Sequence, residues 1–339
     1  SKGIHTATAG GALNAGKIES AANNVIAMSI DNPHSTGRVF KNEASGLIDL
    51  QGQESTGIFA TGTGTYTASN EGEIKLASSS DVNKPNMAMY TDKPTVTLDN
   101  NGKLTGGDKT VGVYGYNINL GGTSDATIGA GGTIAYSQGG NVVANGKLSI
   151  GENGTTGSND AVGVYYVGQG GTITSNATDI KMGNSTYGFV IQNKNGAGVT
   201  LTTNTLNAKL KNDSVYAYSN NRAGTVTNNT VLDSEGNENY GIYSAGTVTN
   251  NKNINFGTGK GNVGIYSTYG GTATNLAGRN ITVGASYKHP TDSLKDRYAV
   301  GMAAGFNGDN NPAKAYTGNI VNEGTINVTG KDSIGMYAT

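Results

Sequence analysis

The chain has 339 residues, with 54 Gly, 42 Asn, no Cys, no Trp, 14% charged residues and a formal net charge of −1. Low charge beside 35% hydrophobic content excludes a self-repelling disordered chain, and the absence of a basic excess excludes the counterion-releasing stripe that nucleic-acid binding needs. Lack of cysteine removes disulfide scaffolds, thiol catalysis and thiolate metal sites together.

Taken in chain order, the sequence echoes itself. A four-residue core of apolar, Gly, apolar, aromatic can be aligned at Val25-Ile26-Ala27-Met28, Thr56-Gly57-Ile58-Phe59, Met87-Ala88-Met89-Tyr90, Val111-Gly112-Val113-Tyr114, Thr133-Ile134-Ala135-Tyr136 and Val162-Gly163-Val164-Tyr165. It continues at Tyr187-Gly188-Phe189-Val190, Val215-Tyr216-Ala217-Tyr218, Tyr240-Gly241-Ile242-Tyr243, Val263-Gly264-Ile265-Tyr266, Val300-Gly301-Met302-Ala303 and Ile334-Gly335-Met336-Tyr337. The third place is apolar throughout, and copies recur about every 28 residues. Within a unit, Thr247-Val248-Thr249, Asn253-Ile254-Asn255-Phe256 and Val263-Gly264-Ile265-Tyr266 alternate apolar with polar or small residues between Gly and Asn breakers. That is the pattern of three short strands per unit. Such a unit cannot satisfy its backbone edges alone but can on a copy of itself. The expected fold is all-β, a right-handed parallel β-helix of about 12 coils of about 28 residues with a few protruding loops.

Asn228, Asn250 and Asn275 each follow the same Thr, and stacking them predicts an amide ladder. Asn-Gly turns at Asn100 to Gly102, Asn145-Gly146 and Asn153-Gly154 leave a hairpin-built sandwich or propeller as the competing architecture, although units this short are below the usual blade length. Loop insertions are expected near 31–45, 286–299 and 305–318, where Pro and clustered charge break the strands, the second with a helical turn capped at Ser293. From these, Tyr287, Lys288, His289, Lys295, Arg297, Phe306 and Asp309 are candidate ligand contacts, because insertions in a solenoid project from its surface. The usual meaning of such an insertion is free drift at little cost.

The motifs of chemistry are weak. Gly259-Lys260-Gly261-Asn262-Val263-Gly264 has the spacing of a dinucleotide loop but precedes a strand instead of a helix, and no Gly-Lys pair continues into Ser or Thr. His5, His34 and His289 are too scattered for a metal motif. Asp213 and Glu238 hold the same place in consecutive units, two before the core, and could project together as an acid pair. The same place holds Glu54, Asp160 and Asp332, which points to a habit of the turn. No catalytic, metal or cofactor residue is therefore assigned, and the chain is expected not to be an enzyme. Tyr90, Tyr114, Tyr136, Tyr165, Tyr218, Tyr243, Tyr266 and Tyr337 share the fourth place. With first and third places inward, Gly and Tyr would face outward together and form an aromatic ladder, structural in the first instance and open to use as a strip for sugars or a protein partner.

The Val-Gly-Ile-Tyr cores, the Gly-Thr-Val-Thr-Asn-Asn strands and the closing stretch from Ile326 to Thr339 resemble the passenger region of large monomeric autotransporters, above all the fusobacterial outer-membrane adhesins. The resemblance implies a single β-helix segment, 1–339, of a longer passenger, with a C-terminal outer-membrane barrel outside it. It also implies a place on the bacterial cell surface and attachment to glycans or proteins of host cells or other bacteria. No apolar run is long enough for this segment to insert in a membrane. Against this adhesin stands a polysaccharide-active β-helix enzyme using Asp213 and Glu238.

Overall fold

A computed structural model describes residues 2–7, 10–31, 38–152, 159–305 and 316–339. The chain divides into two units, Ser1–Gly168 with Ser175–Thr178, and Gln169–Thr174 with Asp179–Thr339. Each is a right-handed parallel β-helix, three strands to a coil, with every strand of a coil going to a different sheet. The described residues contain no α-helix.

One pair of coils in the second unit shows why these residues form these strands. Tyr240–Ser244, Thr247–Asn250 and Ile254–Lys260 are followed by Val263–Ser267, Thr272–Asn275 and Asn280–Ala285. The parallel register sets Ile242 on Ile265, Val248 on Ala273 and Ile254 on Ile281, all at most 1% exposed. One apolar column from each sheet thus fills the interior, where removal of these side chains from water is the main favourable term. In the first unit Ile58, Met89 and Val113 form the equivalent column. Hairpins are absent from the expected places: Asn100 to Gly102 and Asn145-Gly146 join strands of different sheets, whose partners lie in neighbouring coils. Asn153 lies outside the described residues.

The amide ladder is present and longer than three rungs. In the second unit Asn228 donates to the Oδ1 of Asn250 at 2.8 Å, Asn250 to Asn275 at 2.8 Å and Asn275 to Asn322 at 2.9 Å. The other hydrogen of each amide goes to a carbonyl of its own turn, those of Thr230, Lys252 and Arg279. In the first unit Asn14, Asn42, Asn70 and Asn100 form the same relay at 2.7 Å per step, and the last amide donates to Ser124 Oγ. A buried amide is tolerable only when its donors and acceptor are met, and here the next coil meets them.

Three details of the sequence reading need correction. Ile26, not Val25, opens the first aligned core, because the register pairs Ile26 with Thr56 and Met28 with Ile58. A further copy precedes it, Lys2–Ala7, with Gly3, Ile4 and His5 in the second, third and fourth places. The inside and outside of the core are also different from strict alternation. First and fourth places face away from the interior, half-buried in most coils and buried in some, whereas second and third both turn inward: Tyr216, in the second place, is fully buried with its hydroxyl on Thr230 at 3.1 Å. Paired positions accordingly skip the second place on both strands, and the register continues without a shift. A side chain there meets the adjacent coil, since a Cβ on Gly264 would stand 2.5 Å from the carbonyl oxygen of Gly301 and 2.8 Å from Ile281. Glycine marks close approach of backbone, not a surface to be covered by Tyr.

Replacing Asn250 with Ala should cost about 1–3 kcal/mol, because it leaves the Asn275 carbonyl oxygen buried without its donor. Lys252→Ala on the exposed side of the same turn should stay within about 0.5 kcal/mol. Urea denaturation of the two variants checks this, and equal midpoints would contradict it.

Candidate functional site

The fourth-place column is a stack of rings. In the first unit Phe59, Tyr90, Tyr114, Tyr136 and Tyr165 follow one another at 4.8–5.2 Å between centroids and 12–17° between planes. Tyr218, Tyr243 and Tyr266 do the same in the second unit, at 5.1 and 4.9 Å. Coil spacing near 4.8 Å imposes this, and offset stacking makes it favourable. Burial among neighbouring rings pushes the hydroxyls of Tyr114, Tyr243 and Tyr266 above the usual phenol range. Tyr337 stands apart from the stack, because the register interposes Ala303 between it and Tyr266.

Beside the rings runs the first-place column, and the two bound a groove in each unit. The first unit's groove, about 520 Å³, has Met87, Val111 and Thr133 between the wall of Tyr90, Tyr114 and Tyr136 and an opposite edge that includes Pro85 and Lys109. The second unit's, about 580 Å³, rests on Val263, Val300 and Ala303, all 5–6% exposed, and is enclosed by Tyr240, Tyr266, Tyr298 and Tyr337. Tyr266 is fixed by its hydroxyl, which donates to the Gly305 carbonyl.

The 286–299 insertion forms one edge of that second groove. Its two sides pair through Tyr287 and Arg297, whose backbones exchange hydrogen bonds of 2.8 and 2.9 Å in antiparallel fashion. A 3₁₀ turn, Ser293–Lys295, crosses its tip, and the cap is Asp292, one residue earlier than expected, whose carboxylate accepts from the Leu294 N–H. The Asp296 carboxylate, nearly buried, accepts from Lys288 Nζ and from the His289 N–H, both at 2.9 Å, and these hold it below the usual carboxylate range. Lys288 also donates to the Tyr298 hydroxyl at 2.8 Å and lies 4.1 Å from the Tyr298 ring centroid; the Tyr298 hydroxyl first and Asp296 second raise its pKa. Lys295 pairs with Asp292 at 3.3 Å. Of the loop residues named from sequence, Arg297 lines the groove, while Tyr287, Lys288, His289 and Lys295 build the loop that presents it. Phe306 and Asp309 lie outside the described residues, as do parts of the 31–45 and 305–318 insertions. Tyr298 and Tyr240 were missed, although Tyr298 sits two residues before the Val300 core, which places it at the groove's mouth.

Asp213 and Glu238 owe their recurrence to the backbone. Together with Glu54, Asp160 and Asp332 they adopt left-handed φ values of 49–58°, as do Asn24, Lys109 and Ser185 in the same place. Asp and Asn tolerate this region better than most residues. The N–H of Asp213 donates to Asn237 O and that of Glu238 to Lys260 O, so the turn itself forms a ladder. The carboxylate of Glu238 meets Arg297 Nε at 3.4 Å. Among the described residues no three His, Asp or Glu side chains gather as a metal site. The Gly259 to Gly264 motif spans a strand end, a turn and the next strand, with no helix to face a phosphate.

The fold in each unit is a right-handed parallel β-helix with aromatic columns on its surface. Residues 244–339, which contain most of the second groove, match the family model described as the BigA third pectate lyase-like domain. No curated protein and no solved structure matches the chain.

Tyr114 stacks on a ring at either side, and Tyr114→Ala should cost about 1–3 kcal/mol, two aromatic contacts. Tyr337→Ala, half-exposed and next to Ala303, should cost less. Thermal denaturation ranks the two, and the reverse order would refute a structural ladder.

Proposed function

We propose that the chain is a binding segment of a bacterial surface protein, an adhesin-type support that attaches the cell to glycans or proteins of host cells or other bacteria. The observation that carries this reading is the second groove, where the 286–299 loop and the tyrosine column supply aromatic faces, an apolar floor and a polar edge at one place. Aromatic-lined concavities with few polar groups suit ligand recognition. The match of this region to a domain of BigA, a surface protein, supports the location, and the repeat style of the sequence supports the outer membrane of a bacterium and the autotransporter route. Stacked coils serve as a stiff support, and individually weak contacts gain strength when many molecules act on one cell. Among the described residues no helix is long and apolar enough to cross a membrane.

The Tyr287 and Arg297 pairing offers a clean excision, because 288–296 can be replaced by an Asn-Gly hairpin turn without moving the coils. That variant should retain the β-sheet circular dichroism of the parent and lose attachment to cells or immobilised glycans. Unchanged attachment would remove the loop and its groove from the binding role.

A second reading, cleavage of a polysaccharide, is favoured by the pectate lyase-like description. Incubation with polygalacturonate, followed by ultraviolet absorbance of unsaturated products, should give no product in the parent or in the Asp213→Asn, Glu238→Gln double variant. Product from the parent that disappears in the double variant would establish the enzyme instead.

A further inference from the structure

The two grooves differ at one rung. Where the first unit presents Tyr90, Tyr114 and Tyr136 in unbroken sequence, the second presents Tyr266, Ala303 and Tyr337. A methyl group occupies the place of a phenol, and the vacated space opens onto the groove beneath Tyr240 and Tyr298.

The charged side chains that line that opening, Arg297 and Asp296, are paired off. Arg297 meets Glu238 at 3.4 Å, Lys288 meets Asp296 at 2.9 Å and Lys295 meets Asp292 at 3.3 Å. Among the described residues that line the groove, a ligand of either sign finds no unpaired opposite charge, and would have to break one of these pairs to gain one. Arg297 and Glu238 are nevertheless 49% and 37% exposed, so together they present donors and an acceptor side by side. Tyrosine rings offer flat apolar faces with hydroxyl donors at their edges. The complement of such a wall is a neutral six-membered ring with apolar C–H faces and a hydroxylated rim. A hydrocarbon chain would cover the polar edge without pairing it, which costs free energy.

We infer that the groove at Ala303 is a subsite for one uncharged pyranose of a surface glycan, its faces against Tyr266 and Tyr337 and its hydroxyls toward Arg297 and Glu238. This rests on the binding role proposed above and names its ligand class.

Saturation-transfer NMR on the 339-residue chain tests it, with methyl pyranosides of glucose, galactose, mannose and N-acetylglucosamine as probes, beside sialyllactose, a sulfated disaccharide and tyrosinamide. At least one neutral pyranoside should bind more strongly than the charged sugars and tyrosinamide. Ala303→Tyr, which restores the rung, should weaken that binding at least about tenfold, the loss of roughly one stacking contact, while leaving the melting temperature equal or higher. Arg297→Gln, an exposed change that does not depend on repacking, should weaken it several-fold. Preference for a charged sugar or for tyrosinamide, or neutral-sugar binding that survives both substitutions, overturns the subsite. Attachment that is lost on loop excision but kept in Ala303→Tyr and Arg297→Gln overturns the pyranose site alone, and attachment unaffected by all three overturns the binding role with it.

Discussion

Parallel, in-register stacking of coils governs everything else in these units. It makes the nearest neighbour of each side chain the side chain at the same place one coil away, about 4.8 Å distant. Only side chains content beside their own kind can then recur at a place. Isoleucine and valine satisfy this in the interior, asparagine through a donor and acceptor on one group, tyrosine through its flat face. Charges are the instructive exception, since like charges in direct opposition repel. On one outer face Glu73, Lys103, Asp125 and Lys147 follow one another with alternating sign. Where Lys181 does lie against Lys209, each has a carboxylate within 4 Å, Asp179 and Glu235.

That rule explains what could be read in advance. The Thr before Asn228, Asn250 and Asn275 announced a column because identical residues at a fixed place have little other reason to recur, and the tyrosines announced another. The interior direction of the second place was not legible. Alternation predicts that Gly and Tyr face the same way, whereas the local backbone turn that points Tyr216 and the glycines inward recurs in register from coil to coil and is not encoded in the apolar pattern of a single strand. The one-residue slip at Val25 and the unread strand Lys2–Ala7 share a cause: without a tyrosine in the fourth place, Ser29 and His5 carry too little pattern to set a register.

The groove was legible in parts only. Its ring wall lay in the repeat and its edge in the insertion, but their meeting depends on Tyr298 arriving two residues before a core strand and on a loop closed by Lys288 and Asp296. The acidic residues at the left-handed turn illustrate the opposite hazard. A recurrent carboxylate invites a catalytic reading, yet Lys109 and Ser185 adopt the same conformation, and the constraint is one of backbone shape.

The asparagine relay also limits how such a chain can change its size. Each amide hands a hydrogen onward and receives one from behind, irrespective of which coil supplies it. Gain or loss of a complete turn of the spiral preserves every handover, and extra residues within a bend leave it untouched, as the wide separation of Asn275 from Asn322 demonstrates. Adding or removing one strand alone would set carbon opposite amide throughout the remainder. Evolution of length by whole turns, with novelty confined to the bends, follows from the side chain of a single residue type.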